Sequence, residues 1–371
     1  MVNIKLMKKK ITYISNSTIP SMEANSIHVV NMADALSELK ILDDFFAYKG
    51  FLKKSIKKFY GLKNNLKVNF FSLSPAPIFN SIEIIITLFR LKQNTIIFGR
   101  HIKICLFFTL IGKPVIFETH QPISSYSFID GLLFKYTHKK LIAIITITHA
   151  LKKILLEEYA LKDKKIIVLP DAANLKKKKV KIKSKKKKIG YFGSLLKGRG
   201  IDIIFSLAQD LEEIEFHIAG GSEFQIKKLS LIKSRNVFFH GYLSSNKLIS
   251  LRNKMDILLA PYQHNTSIPG GKVTTEWMSP LKIFEYMSSK IPFIASDIKV
   301  LREVLKNRYN CILVNPNSVN EWKIAIKEIF SNEKLSKKIS TNAFNDFVSK
   351  YTWEIRAKKI VQICSKLSDS R

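Results

Sequence analysis

Short apolar runs rich in β-branched residues alternate with longer segments of helical periodicity along almost the whole chain. Runs of this kind are typical of strands buried on both faces of a parallel sheet. We predict strands at residues 11–15, 68–73, 95–99, 114–119, 142–148 and 165–170, and again at 188–194, 214–220, 237–242, 256–262, 291–296 and 311–315. Helix-length segments between them complete βαβ units, which predicts an α/β fold with doubly wound parallel sheets.

The strand rhythm stops and restarts around a lysine-rich segment, which divides the chain into two similar halves. At 371 residues the chain is long enough for about two domains. We predict a first domain at 1–170, a Lys-rich linker at 171–187, a second domain at 188–350 and a terminal helical segment at 351–371. Ligands of open α/β sheets bind at the carboxyl ends of strands, so site residues are expected in the loops that follow the strands.

The chain carries a net charge of +33 while keeping 46% hydrophobic and 25% charged residues. Lysines therefore replace acids on an otherwise ordinary globular composition. Residues 176–188 hold ten lysines and no acid, yet the rest of the chain is still strongly basic. Such a field attracts a polyanion, which could be nucleic acid, an anionic membrane surface or a phosphorylated substrate.

Two further features bear on location. The three cysteines are far apart and without CxxC spacing, which indicates neither a disulfide framework nor a zinc site and favours a reducing cytoplasm. The longest apolar run, residues 104–112, is far shorter than the ~20 residues that span a bilayer, so a membrane contact would be peripheral.

Residues 50–63 place apolar and lysine side chains on opposite sides. This segment either lies on anionic lipid or is a domain helix with a solvated lysine face.

Residues 193–200, GSLLKGRG, follow a predicted strand and precede a helix, as phosphate-binding loops do. The glycine spacing is that of a Walker A loop, but Arg199 and Gly200 stand where Lys and Ser/Thr are required, and no GxGxxG motif is present. A basic group, Lys197 or Arg199, remains on a glycine-flanked turn, and it either meets an anion or is an ordinary surface cation. Gly220 ends the next strand, where it either lets backbone approach a ligand or forms a plain turn.

Residues 279–288, SPLKIFEYMS, predict a helix with Ser279 as N-cap and Pro280 at its first position. Lys282 lies in the first turn, where the helix dipole disfavours a cation. Glu285 follows three residues later on the same side. The two side chains either form a surface ion pair, or Lys282 helps to hold an anion such as a diphosphate while Glu285 accepts hydrogen bonds from a sugar.

Polar residues also follow strands of the first half. They are Asn25, Ser26 and His28 in the first strand–helix connection, Arg100 after the strand at 95–99, and Glu118 and His120 after the strand at 114–119. Each lies at a carboxyl edge where a ligand could bind, and each could equally be structural, with Ser26 serving as a helix N-cap.

In the order ANSIHVVNMADAL, IFETHQP, GYFGSLLKGRGIDII, MSPLKIFEYMSSKIPFIASD and YTWEIRAKKI, these segments give the chain a family resemblance. It resembles the nucleotide-sugar-dependent glycosyltransferases of family four, group 1, over nearly its whole length. The resemblance implies the GT-B fold, with two facing Rossmann-like domains, parallel sheets and a C-terminal helix that crosses back. It also implies a donor held mainly by the second domain, an acceptor held mainly by the first, retention of anomeric configuration and no required metal or cofactor.

The resemblance implies that Arg199 contacts the donor diphosphate, Glu285 the ribose and His120 the transferred sugar. Trp277 stands in place of the family's first glutamate, and Ser194 in place of a common arginine, so we expect Lys282 to supply the missing cation. The expected catalytic residues are His120, Arg199 and Lys282. The expected donor-binding residues are Gly193, Ser194, Arg199, Gly220, Ser279, Pro280, Leu281, Lys282 and Glu285. The expected acceptor-side residues are Asn25, Ser26, His28, Arg100 and Glu118.

The sequence therefore predicts a cytoplasmic retaining glycosyltransferase, peripheral on the anionic inner face of the cell membrane. It would move a sugar from a nucleotide-sugar donor to a lipid-linked or polysaccharide acceptor in the synthesis of a surface glycan such as lipopolysaccharide. Two alternatives stay open at this point: a nucleotide-sugar epimerase of similar fold, and a non-enzymatic basic protein that binds nucleic acid. The second leaves the Gly-Arg-Gly turn unexplained, so no nucleic-acid partner is expected.

Overall fold

The computed structural model of the protein describes residues 9–52, 55–71, 80–159, 161, 165–175, 186–268 and 270–365. The chain divides into two compact units. The first contains Met1–Asp171 and Trp353–Arg371, and the second contains Ala172–Thr352. The predicted Lys-rich linker at 171–187 lies largely outside the described residues.

The first unit is built on a seven-stranded parallel sheet of order β3-β2-β1-β4-β5-β6-β7. Its strands are β1 (Lys10–Ile19), β2 (Leu42–Lys49), β3 (Asn69–Phe71), β4 (Thr95–Gly99), β5 (Val115–Thr119), β6 (Ala143–Thr146) and β7 (Ile166–Val168). Its helices are α1 (Ala24–Glu38), α2 (Ile56–Tyr60), α3 (Asn80–Arg90), α4 (Ile102–Leu110), α5 (Phe128–Thr137), α6 (His149–Tyr159) and the C-terminal α13 (Trp353–Ser365), which contacts α1. Strands β4, β5 and β6 are buried throughout, as their mostly apolar sequences predict.

The second unit is built on a six-stranded parallel sheet of order β10-β9-β8-β11-β12-β13. Its strands are β8 (Lys188–Phe192), β9 (Glu215–Ala219), β10 (Val237–Phe239), β11 (Ile257–Ala260), β12 (Phe293–Ser296) and β13 (Ile312–Val314). Its helices are α7 (Ile201–Asp210), α8 (Glu223–Ser230), α9 (Ser245–Arg252), α10 (Leu281–Met287), α11 (Val319–Ser331) and α12 (Glu333–Lys350). The strand order reverses between β8 and β11, and the loops after these two strands flank that switch point.

The predicted α/β class with two parallel sheets is confirmed. Every predicted strand is present, with its ends as predicted for 95–99 and shifted for the others. Strand β2 was missed because Asp43 and Asp44 interrupt its apolar run. Ser26 is not an N-cap: α1 begins at Ala24 with Glu23 as its N-cap, and the Ser26 hydroxyl donates to backbone carbonyls of the preceding turn.

The lysine-rich segment at 50–63 forms only the short helix α2. Phe59 and Tyr60 are buried in the first unit, and the Tyr60 hydroxyl donates to the Ser21 carbonyl at 3.0 Å. These two rings belong to the core, which favours the alternative of a domain helix for this segment. Lys53 and Lys54 lie outside the described residues. None of the helices in the described part of the chain is long and apolar enough to cross a membrane.

Candidate functional site

In the second unit, the backbone segments that follow β8 and β9 pack directly against each other. The Gly193 amide donates to the Ala219 carbonyl at 2.9 Å, and the Gly220 amide donates to the Gly241 carbonyl at 2.8 Å. Gly220 has φ of 126°, and a Cβ there would lie 2.0 Å from the Gly193 carbonyl oxygen. Only glycine fits at this position. Ser194 is exposed, and its carbonyl accepts from the Tyr191 hydroxyl at 2.6 Å, which fixes the turn after β8.

Helix α10 brings Lys282 into a buried position beside this turn. Its N-cap is Pro280, in extended conformation, so the predicted N-cap at Ser279 is one residue early. The Lys282 side chain fills the space next to Gly193, where a Cβ would lie 2.8 Å from Nζ. Ser279, Pro280 and Leu281 are half-buried on the approach to the helix.

The Lys282 ammonium packs against aromatic faces. Lys282 is 9% exposed, and Nζ lies 3.7 Å from the ring centroid of Tyr191 and 4.9 Å from that of Tyr262. The alternative of a surface ion pair with Glu285 is wrong, and no ion pair or hydrogen bond of this ammonium occurs within the described ranges. Burial, and then the nearby Arg199, hold the pKa of Lys282 well below its usual range.

Arg199 lies in the turn before α7 and shares the Tyr262 ring with Lys282. Its guanidinium carbon is 5.4 Å from the Tyr262 centroid, and Nη2 donates to the Ser267 carbonyl at 3.0 Å. Its Nε is buried without a hydrogen-bond partner among the residues that the structure describes. Lys197, the other candidate on this turn, is exposed. Two partly desolvated cations therefore flank one ring, an arrangement that an anion between them would stabilise.

Glu285 lies one turn after Lys282 and is held by Arg252. Arg252 is the last residue of α9 and is buried, and its Nη1 donates to Glu285 Oε2 at 3.1 Å. Glu285 remains partly exposed, so it can accept further hydrogen bonds. Trp277 is half-buried, with the Lys272 ammonium 5.9 Å from its ring centroid. Sequence reasoning missed Arg252, because a single arginine in a short helix gives no local signal.

In the first unit, Glu118 is the penultimate residue of β5 and the centre of a buried charge cluster. Its Oε1 accepts from His120 Nε2 at 2.6 Å and lies 2.9 Å from His28 Nε2. Its Oε2 accepts from Arg356 Nη2 at 3.0 Å, and Arg100 Nε is 4.0 Å from Oε1. Burial alone would raise the pKa of Glu118, but Arg356 and then His28 hold it well below the usual range. The carboxyl group is therefore ionised.

His28 is buried in the same cluster, between two aromatic neighbours. Its Nδ1 is 2.7 Å from Asp171 Oδ1, and its ring meets those of His120 and Trp353 edge-on at 4.7 and 4.9 Å. Arg356 Nε also donates to the Pro170 carbonyl at 3.1 Å. Asp171 and Arg356 were not predicted, because they lie far from His28 along the chain and only the fold brings them together.

His120 is the member of the cluster that reaches the surface, with 19% of its side chain exposed. Burial, followed by the charge of Arg100, lowers the pKa of His120 to about 4. A neutral ring that donates from Nε2 to Glu118 leaves Nδ1 as an acceptor. Nearby, Asn25 Oδ1 and Arg100 Nη1 are buried without hydrogen-bond partners among the described residues, whereas the Ser26 hydroxyl oxygen lies 3.0 Å from that of Tyr60.

The ligand atoms of His28, His120 and Asp171 lie within 4.8 Å of one another, a separation that could hold a metal ion. These donors are already engaged, since both nitrogens of His28 face carboxylates and Nε2 of His120 bonds Glu118. Arg356 adds a cation to the same carboxylate. A dication would have to displace these contacts, and metal-independence stays a prediction.

The sequence and the fold of the chain are similar to those of glycosyltransferases. Residues 173–346 match the family model described as glycosyl transferases group 1. An uncharacterized glycosyltransferase of Methanocaldococcus jannaschii is 26% identical over 256 residues, which are 65% of this chain and 62% of that protein. The O-antigen chain mannosyltransferase RfbU of Salmonella typhimurium is 26% identical over 242 residues, 62% of each chain. The matches thus span less than two thirds of these relatives.

The fold extends over a larger share of the chain than the sequence matches. The crystal structure of HepE from Anabaena, in complex with UDP and glucose, has a TM-score of 0.69 at 16% identity and covers 96% of this chain and 99% of that chain. Residues 173–346 are therefore similar to the group 1 glycosyl transferases, and the chain has the α/β GT-B fold.

Proposed function

We propose that the protein is a retaining glycosyltransferase that moves a sugar from a nucleotide-sugar donor to a lipid-linked or polysaccharide acceptor. The observation that carries this proposal is Lys282, a buried ammonium that stands beside Arg199 with no anion in contact within the described residues. A desolvated cation without a counter-charge destabilises a fold. A ligand with two adjacent negative groups, such as a nucleoside diphosphate, would supply that counter-charge at the edge of the sheet where α/β proteins bind ligands.

Each residue of this site then has a chemical role. Lys282 and Arg199 bind the diphosphate and stabilise the charge that develops on it as the glycosidic bond breaks, an electrostatic effect that is strong where water is excluded. Glu285, oriented by Arg252, accepts hydrogen bonds from the ribose hydroxyls. Gly193 and Gly220 allow the Lys282 side chain and the turn after β8 to pack closely at this edge of the sheet.

The first unit supplies the acceptor-side groups. His120 contacts the transferred sugar through Nδ1, which accepts a hydroxyl hydrogen because Nε2 donates to Glu118. Glu118 and His28 are buried and act as positioning residues, while Asn25 and Arg100 have unbonded polar atoms available for an acceptor. Retention of configuration and independence of metal rest on the family resemblance of the sequence motifs.

The names of two similar proteins and the net charge of the chain support a role in the synthesis of a surface glycan at the membrane. RfbU is named for O-antigen synthesis, and HepE was crystallised with UDP, which supports a nucleotide-sugar donor and a surface glycan product. The +33 net charge supports a peripheral position on the anionic cytoplasmic face of the membrane.

A thermal-shift panel of nucleoside diphosphates, their sugars and pyrophosphate tests the donor proposal. A ligand present at about 100 times its Kd stabilises the native state by about 2.7 kcal/mol, so one nucleotide should raise Tm clearly above the others. The absence of any rise with every nucleoside diphosphate would contradict the proposal. Conversion of the free nucleotide sugar to a different one without an acceptor would indicate an epimerase instead.

A further inference from the structure

Helix α5 of the first unit has an apolar face that its own unit does not cover. Phe128 is 85% exposed and Tyr136 is 71% exposed, and Ile129 and Leu132 on the same side are also exposed. The opposite side of the helix already anchors it, because Phe134 is completely buried. A helix with one buried stripe does not need a second apolar stripe for folding, so this surface, which we call the α5 face, is typical of an interaction site.

The charges around the α5 face have one sign. Lys135 lies on the helix, and Lys139 and Lys140 follow in a 3-10 turn, and all three are exposed. The single acid between residues 128 and 140, Asp130, is buried and accepts from the Ser127 hydroxyl at 2.7 Å. Within residues 128–140, the face therefore combines aromatic and aliphatic side chains with lysines and has no exposed acid.

The neighbouring helix α4 also exposes apolar side chains at its end. Leu110 and Ile111 are about half exposed there, and α4 contacts both α5 and the 3-10 turn that carries Lys139 and Lys140. Tyr136 adds an amphipathic ring of the kind enriched where membrane meets water.

We propose that the α5 face binds the surface of an anionic lipid bilayer. Its apolar side chains would enter the boundary between headgroups and acyl chains, while the lysines meet anionic headgroups. A second copy of the chain is a poor occupant, because two such faces would bring six lysines together in a protein of net charge +33. The inference deepens the membrane location in the proposed function, but the binding itself needs neither donor nor acceptor.

The first experiment compares flotation of the full chain with phosphatidylcholine vesicles and with vesicles that also contain phosphatidylglycerol. We expect binding to the anionic vesicles only. The double variant Phe128→Ser with Ile129→Ser should lower the partition coefficient about tenfold or more, because two exposed apolar side chains no longer enter the lipid. The matched control is Phe51→Ser, which removes a fully exposed ring from the lysine-rich segment of the same unit and should leave binding unchanged.

A second variant tests the charges. Each lysine near an anionic surface contributes about fivefold to partitioning, so Lys135→Gln with Lys139→Gln and Lys140→Gln should weaken binding about a hundredfold. High salt should weaken the wild type and affect this variant less.

Three results would overturn the proposal. They are no binding of the wild type to anionic vesicles, an equal loss of binding in Phe51→Ser, and size-exclusion chromatography in which the wild type is a dimer that the double variant converts to monomer. The variants should keep the Tm that the wild type has without ligand, which establishes that they are folded. The thermal shift with nucleoside diphosphate tests the donor proposal separately, so either inference can fail without the other.

Discussion

Replacing Lys282 by methionine should have opposite effects on the empty protein and on donor binding. In the empty protein, the change removes a buried charge whose desolvation costs several kcal/mol, and it also removes a cation–π contact with Tyr191 of about 2 kcal/mol. The net effect is a gain of about 2 kcal/mol, which corresponds to a rise in Tm of about 4–8 °C for a unit of this size.

Donor binding should weaken in the same variant. A charge-assisted hydrogen bond between the Lys282 ammonium and a diphosphate contributes about 1.5–3 kcal/mol, so Lys282→Met should raise the Kd for the nucleoside diphosphate about 10- to 150-fold. A lysine in an exposed helix pair would account for less than about twofold. Isothermal titration calorimetry separates these two ranges.

The matched control is Lys290→Met. The Lys290 ammonium lies 4.1 Å from the ring centroid of Phe344, so it also contacts an aromatic ring, but the residue is exposed. Its replacement should change the stability by less than about 0.5 kcal/mol and leave the Kd unchanged. The reasoning is refuted if Lys282→Met binds the nucleotide within twofold of wild type, or if it lowers the Tm of the empty protein.

The pH dependence of stability gives a second readout for Lys282. Its native pKa is well below the usual 10.5, so between the two values the unfolded chain binds a proton that the native state does not. The free energy of unfolding of the wild type therefore rises with pH over this interval. Lys282→Met lacks this contribution, and its stability advantage over the wild type should shrink as pH approaches 10.5.

Three further predictions follow from other groups of the two units. Arg252→Ala leaves Glu285 without its partner, so it should weaken binding of the nucleoside diphosphate about tenfold in calorimetry while leaving the affinity for pyrophosphate, which has no ribose, unchanged. Gly220→Ala should lower the stability by about 3 kcal/mol or more in denaturant unfolding, whereas Gly271→Ala, with positive φ but open space around it, should cost about 1 kcal/mol. As pH falls from 6.5 to about 4, the wild type should lose up to about 3 kcal/mol more stability than His120→Gln, because only unfolded His120 takes up a proton in that range.

The two sheets could be predicted from the sequence, because strands buried on both faces of a parallel sheet are continuous runs of apolar, β-branched residues. Strand β2 has no such continuous run, because Asp43 and Asp44 lie at its start and only its later residues are buried. The start of α1 was misplaced for a related reason. Ser26 has the chemistry of an N-cap, but its hydroxyl bonds backward to the Ser21 and Glu23 carbonyls from within the helix.

The sequence identified site residues of the second unit only where a side chain is unusual for its local structure. Lys282 is a cation in the first turn of a helix, and Arg199 lies on a glycine-flanked turn, so both could be identified from neighbouring positions. Arg252 and Arg356 have no such conflict, because each is an ordinary helical arginine. Their importance comes from Glu285, 33 residues from Arg252, and from Glu118, 238 residues from Arg356.

The two units differ in whether their buried charged groups have partners of opposite charge. This difference predicts which unit a bound ligand stabilises. In the first unit, the carboxylates of Glu118 and Asp171 contact His28 and Arg356 at 2.7–3.0 Å, so both carboxylates have partners without a ligand. In the second unit, Lys282 and its neighbouring arginine share an aromatic ring and contact no anion within the described ranges. The first arrangement favours a rigid, preorganised site. The second stores an electrostatic penalty that an anionic ligand relieves, so the thermal stabilisation by a donor should arise mainly in the second unit.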